Sequence, residues 1–208
     1  LVGGATVLLR LPVWTSALHA CLAQGFFLLI VFLALVHAPA WNTAKPTLDP
    51  ASLLPKIALA TTVAVYAQLV VGAVMRHMNA GLAIPDFPTV FGGLFPPAWS
   101  PEIFIHFVHR AGAFLVSLLV LATAVAARRS PGDLRAPASI MVLLVLIQVF
   151  LGGAIVWTGR HPIVASIHVV VGAVLLATSM VLTVKTRRGM RHSTASTRTA
   201  FAPGEVPA

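Results

Sequence analysis

Apolar residues in this chain come in long unbroken runs, with neither the alternation of half-buried strands nor the narrow stripe of helices that face water on one side. A helix needs about 20 such residues to cross a bilayer. The runs at 16–37, 56–75, 102–127, 136–158 and 163–184 meet that length, so the pattern predicts five complete membrane spans. Residues 1–9 are apolar but too few to cross, and Arg10 and Pro12 end them, so they read as the last turns of a partial N-terminal span. Three polar stretches divide the runs. Residues 38–55, rich in Pro, Asn, Thr and Asp, read as a linker; 76–101, full of Gly and Pro, as a long loop; and 186–208, rich in Ser, Thr and Arg, as a disordered basic tail. The expected fold class is an all-α, polytopic transmembrane helical bundle. Its expected units are 1–37, the linker 38–55, a helical unit 56–185 and the tail.

Composition agrees: 58% of the 208 residues are apolar and 9% charged, with a mean hydropathy of +0.94, outside the range of soluble domains. The net charge of +9 changes the picture only through its placement. Ten of the 14 Lys and Arg fall on one side of the alternating spans: Lys45, Lys56, Arg128, Arg129, Arg135, Lys185, Arg187, Arg188, Arg191 and Arg198. The other side holds Arg10, Arg76 and Arg160, with Arg110 near the membrane edge. Cytoplasmic loops carry the basic excess, so the C-terminus is expected inside a cell membrane and no nucleic-acid partner is expected. The single cysteine, Cys21, rules out a disulfide within these residues and a cysteine metal site. Leu1 stands first with no basic leader before it, as expected of a sequence whose N-terminus lies upstream.

The chemistry gathers at 105–113, Ile-His-Phe-Val-His-Arg-Ala-Gly-Ala, where two histidines and an arginine enter an apolar run. At i and i+3, His106 and His109 share roughly one side of a helix. His106 reads as an interfacial residue with a wet tip and Arg110 as a snorkelling one, whereas His109 sits deeper. With the topology above, His19, His109 and His168 all lie on the order of 10 Å below the outer surface at about 1.5 Å rise per residue. An internal echo links two of them: Gly3, Gly4, Ala5, Val7 and His19 recur as Gly152, Gly153, Ala154, Val156 and His168 at the same spacing, and Gln68 to Gly72 recurs as Gln148 to Gly152. Imidazoles from facing helices can grip a haem axially while small residues such as Gly112, Gly152, Gly153 and Gly172 leave room for the macrocycle. Satisfied interior histidines remain the plain alternative. The acids Asp49, Asp86, Glu102, Asp133 and Glu205 all lie in loops, at a helix start or in the tail, which weighs against a cation carrier and a hard-metal site.

The run from Gln68 to His77, then Ala80-Gly-Leu-Ala-Ile-Pro-Asp-Phe-Pro88, then His109-Arg-Ala-Gly-Ala, resembles the second half of the haem A synthase family. Residues 1–37 and 148–184 resemble the helices that carry the later histidine of each half. The resemblance implies an eight-helix protein of two related four-helix halves, of which this chain covers the end of the N-terminal half and the whole C-terminal half. It implies that His109 and His168 hold a b-type haem, with its iron as the metal, and that His19 faces the substrate haem O. Arg76 and Arg110 would pair haem propionates or snorkel to lipid headgroups. The implied reaction oxidises a methyl group of haem O to a formyl group, with water supplying the oxygen, giving haem A for a terminal oxidase. The implied partners are haem O, membrane lipid, haem O synthase and an electron acceptor, with self-association left open. The family's earlier histidine and catalytic glutamate have no counterpart in this sequence, so the catalytic residue is unassigned and these residues alone are expected to be inactive. Many relatives have loop cysteines where this chain has Ile84 and Val90. A bis-histidine membrane cytochrome that only transfers electrons, and a structural or assembly subunit, remain as other readings.

Overall fold

The computed structural model describes residue 4 and residues 13–43, 48–49, 51–130 and 132–200. The chain runs through α1 (Val13–His37), the short α2 (Pro39–Thr43), α3 (Leu54–His77), a 3-10 turn (Ala80–Leu82), α4 (Pro101–Ala127), α5 (Gly132–Trp157) and α6 (Pro162–Ala200). Of these, α1, α3, α4, α5 and α6 are long and apolar enough to cross a membrane, as the apolar runs predict. The protein is an all-α multi-pass membrane bundle. Leu143, Leu146, Phe150 and Ile163, all more than half exposed, face outward from it, as lipid-facing residues do.

Local chemistry sets the helix ends. Ser100 caps α4, its Oγ accepting from Ile103 N–H (3.2 Å), with Pro101 in the first turn. Before α3, Asp49 and Ser52 accept from Ala51 and Leu54 N–H, and Pro55 follows at the helix start. The sequence placed the start of α5 at residue 136, but the helix begins at Gly132 and carries Pro137 inside it. Proline in the second turn removes one i to i−4 bond without ending the helix.

Neighbour relations close α3 to α6 into a ring: α3 packs on α4 and α6, and α5 packs on α4 and α6. The pairs α4/α6 and α3/α5 therefore face each other diagonally. One half of the ring is filled by Leu54, Ala58, Val120, Leu134, Met141 and Leu182, all buried. Hydroxyls tie it: the buried Thr61 Oγ1 and Thr123 Oγ1 lie 2.8 Å apart across α3 and α4, and the half-buried Thr62 meets Thr183 across α3 and α6 at 2.9 Å. Such interhelical bonds contribute about 0.6–2 kcal/mol in membranes. Outside the ring, α1 lies against α3 and α6, with Tyr66 O–H donating to the Cys21 carbonyl (3.0 Å).

Two expectations need correction, and a third falls almost wholly outside the described residues. The tail does not begin as disorder at 186: α6 continues to Ala200, and Arg188 anchors its turn through the Trp41 ring and carbonyl. Residues 201–208 lie outside the described residues. The linker 38–55 is not wholly irregular, since it holds α2. Of the expected partial span at 1–9, only Gly4 is described, and it is helical; Arg10 and Lys45 lie outside the described residues.

Candidate functional site

The half of the ring nearer the 78–100 loop is open. It encloses a cavity of about 1450 Å³, above the ~300–1,000 Å³ of ordinary small-molecule pockets and roomy enough for a large flat ligand. His109 on α4 and His168 on α6 both line it. His109 stands eight residues after Pro101 and His168 six after Pro162, while Gln68 and Gln148 stand nine before His77 and Trp157. All four side chains thus lie roughly 9–14 Å from the same end of the bundle at about 1.5 Å per residue.

Both imidazoles rest on glycine. A Cβ at Gly72 would come within 3.1 Å of His109 Cε1, and one at Gly152 within 3.8 Å of His168 Cε1. Gln68 Nε2 donates to the His109 carbonyl (2.7 Å) and lies 3.0 Å from His109 Nδ1. On the opposite side His168 Nδ1 and Gln148 Oε1 are buried without a hydrogen-bond partner. Buried unpaired polar atoms cost about 1–3 kcal/mol each, so a pair of them beside a cavity is a sign of a site. Neutral imidazole nitrogens of this kind are soft enough for iron and are compatible with an axially held haem. The donor set and the glycine floor fit that group.

The end of the cavity is closed by the loop, including Phe87, Pro88 and Val90. Phe87 fills the space over Gly153, where a Cβ would stand 2.7 Å from its ring, and packs edge-on to Trp157, whose Nε1–H donates to the Phe87 carbonyl (3.3 Å). Asp86 knots the loop by accepting from Gly92 N–H (2.8 Å), Phe91 N–H (2.7 Å) and the Thr89 hydroxyl. Those bonds, the Gly92 amide first and Thr89 next, lower its pKa from 3.8 to about 2. Ile84 and Val90 are buried apolar residues.

His106 is not an interfacial residue with a wet tip; it is 4% exposed and belongs to the loop anchor. Ile84 N–H donates to its Nδ1 (3.2 Å) and Arg110 Nε–H to its Nε2 (3.1 Å), and because a neutral ring offers one lone pair the two donors compete for it. Arg110 also donates to the carbonyls of Thr89 (2.8 Å) and Ile84 (3.1 Å) and stands 5.6 Å from the Phe87 ring centroid. It is a clamp on the loop rather than a free snorkelling cation, with an N–H on each terminal nitrogen to spare. Arg76, exposed, lines the cavity, as do His77 and Arg160, the latter held at φ 66° with Nη1–H 3.4 Å from Asn79 Oδ1.

The structure therefore brings together His109, His168, Arg76 and Arg110. It does not bring in His19, which is half-buried on α1 and does not line the cavity, although Cys21 and Gln24 of the same helix do. Sequence reasoning missed Arg160 and the two glutamines; the Gln68 to Gly72 and Gln148 to Gly152 echo was the available signal for the latter.

Residues 1–180 match the COX15-CtaA family, described as cytochrome oxidase assembly protein. Among curated proteins the chain is 34% identical over 170 residues to the heme A synthase of Halalkalibacterium halodurans, covering 77% of this chain and 56% of that protein. It is 35% identical over 160 residues to the heme A synthase of Symbiobacterium thermophilum (73% and 51%), and 29% identical over 186 residues to that of Caulobacter vibrioides (82% and 52%). The chain spans about half the length of the curated relatives it matches. With a family match that takes in four of the described membrane helices whole and most of the fifth, the chain belongs to the COX15-CtaA family of cytochrome oxidase assembly proteins.

Proposed function

We propose that the protein acts in haem A synthesis, oxidising a methyl group of haem O to a formyl group, and that the α3–α6 ring holds a b-type haem through His109 and His168. The observation that carries this reading is the pair of imidazoles on diagonal helices lining one large cavity at one level. Haem iron would supply the redox chemistry, with electrons passing to a separate acceptor. The chain's own residues bind, orient and exclude water: the glycines, expected from the sequence to leave room for the macrocycle, instead seat the His109, His168, Gln68, Gln148 and Phe87 side chains around the cavity, Phe87 and the loop close the end, and Arg76 with the spare N–H groups of Arg110 offers charge-assisted bonds to propionates. His19 stands apart from the cavity, which suits a ligand for a second porphyrin, the substrate. Haem O synthase and the electron acceptor are the proposed partners.

The test is to express the protein as its gene encodes it in a host that accumulates haem O and to separate the extracted haems. Haem A should appear. A protein that carries low-spin haem yet forms no haem A in such cells would be an electron-transfer cytochrome instead.

The same reading places the 78–100 loop and the histidines near the outer face and the C-terminus in the cytoplasm. In a Cys21→Ala background, Ser100→Cys should react with an impermeant thiol reagent added to intact cells, and Ser52→Cys only after the inner face is exposed. Labelling of Ser52→Cys in intact cells would reverse the topology.

A further inference from the structure

We infer that Gln68 and Gln148 are a matched pair of positioning residues, each fixing the ring orientation of the histidine on the next helix, Gln68 for His109 and Gln148 for His168. The inference rests on the haem reading above.

The two helix pairs share one reciprocal packing. On α3, Gln68 reaches into a notch at Gly112 of α4, where a Cβ would run into its Oε1; one turn further along α3, Gly72 gives the same service to the His109 ring. On α5, Gln148 occupies the notch at Gly172 of α6, where a Cβ would stand 2.6 Å from its Nε2, and Gly152 receives the His168 ring. Glutamine and glycine four apart lie on one face of a helix, and the facing helix carries histidine and glycine three or four apart, so each side chain sits on the other helix's glycine. An apolar side chain would fill either notch without burying an amide. What the amide adds is its reach to the ring: Gln68 is 3.0 Å from His109 Nδ1 and is itself fixed by the His109 carbonyl.

In the second pair the atoms that would make the equivalent contact, Gln148 Oε1 and His168 Nδ1, are two of three buried side-chain atoms without partners among the described residues, Gln24 Oε1 being the third. An amide has a donor end and an acceptor end, so a turn of its terminal torsion meets an imidazole nitrogen in either tautomer. A partner on the far nitrogen of an iron-binding histidine fixes the plane of the ring and tunes its basicity.

The readout is the electron paramagnetic resonance spectrum of the ferric haem-loaded protein, since the mutual angle of two axial imidazole planes sets the g values of a low-spin centre. Gln68→Ala with Gly112→Ala, and Gln148→Ala with Gly172→Ala, remove each amide while returning volume to its notch. Gln68→Leu and Gln148→Leu keep the side chain's bulk and serve as the second pair. We expect each to retain a bis-imidazole centre at saturating haem, with its largest g value moved or split into several species, and haem affinity lowered about tenfold or more. Unchanged g values in loaded variants would make the glutamines packing residues and overturn the inference. Absence of any bis-imidazole signal from the unsubstituted protein would instead sink the haem reading on which it rests.

Discussion

His109→Ala and His168→Ala should each abolish the six-coordinate, low-spin haem spectrum of the purified protein. The two side chains come from α4 and α6, which face each other diagonally, so neither can be replaced by a neighbour on its own helix. His106 lies within a turn of His109, but its ring is buried under Ile84 N–H and Arg110 and anchors the loop. Removing a direct ligand should lower haem affinity by at least about tenfold, the scale on which even the outer partners of a ligand act. Both sites are built on long helices bound by the Thr61–Thr123 and Thr62–Thr183 contacts in the other half of the ring, so helix content should be retained. Absorption of the reduced and oxidised forms, beside circular dichroism, checks this. Full haem content with unchanged low-spin bands in both variants would show that the ligands are elsewhere.

The spans were legible because a bilayer imposes a length and apolarity that few other environments demand, and the ends of α1, α3, α4 and α6's start fall within a few residues of the apolar runs. Counting residues from helix ends put His109 and His168 at one level, and both line the same cavity. Lateral position was not legible. Nothing along the chain says that α1 lies outside the ring and lines the cavity with Ala20, Cys21 and Gln24 but not with His19. His106 was misread because periodicity cannot reveal that a Gly- and Pro-rich loop folds back over it. The glutamines were visible as a repeated spacing but not as chemistry, since their meaning depends on glycines of a different helix. Hydropathy also stops being informative where α6 leaves the apolar run, and there the Arg188–Trp41 contact holds the next turn of the helix.

The second large effect should come from His19→Ala, which is expected to separate haem binding from haem conversion. His19 is on α1, outside the ring, and does not line the cavity shared by His109 and His168, so the low-spin spectrum of the b-type centre should survive the substitution. The link between α1 and the ring, Tyr66 O–H to the Cys21 carbonyl, uses no atom of His19, and the helix can keep its place. Conversion depends on a different requirement. Holding a reactant in a fixed geometry can be worth effective molarities of about 10⁵–10⁸ M, and a porphyrin that loses an axial imidazole loses that fixed geometry along with its iron's ligand field. In a host that accumulates haem O, the His19→Ala protein as its gene encodes it should yield no detectable haem A while showing the b-type spectrum at normal strength. If haem A forms at the unsubstituted rate, His19 is not a substrate ligand. If instead the b-type spectrum is lost, His19 acts on the ring's own haem, and the division of labour between α1 and the α3–α6 ring is wrong.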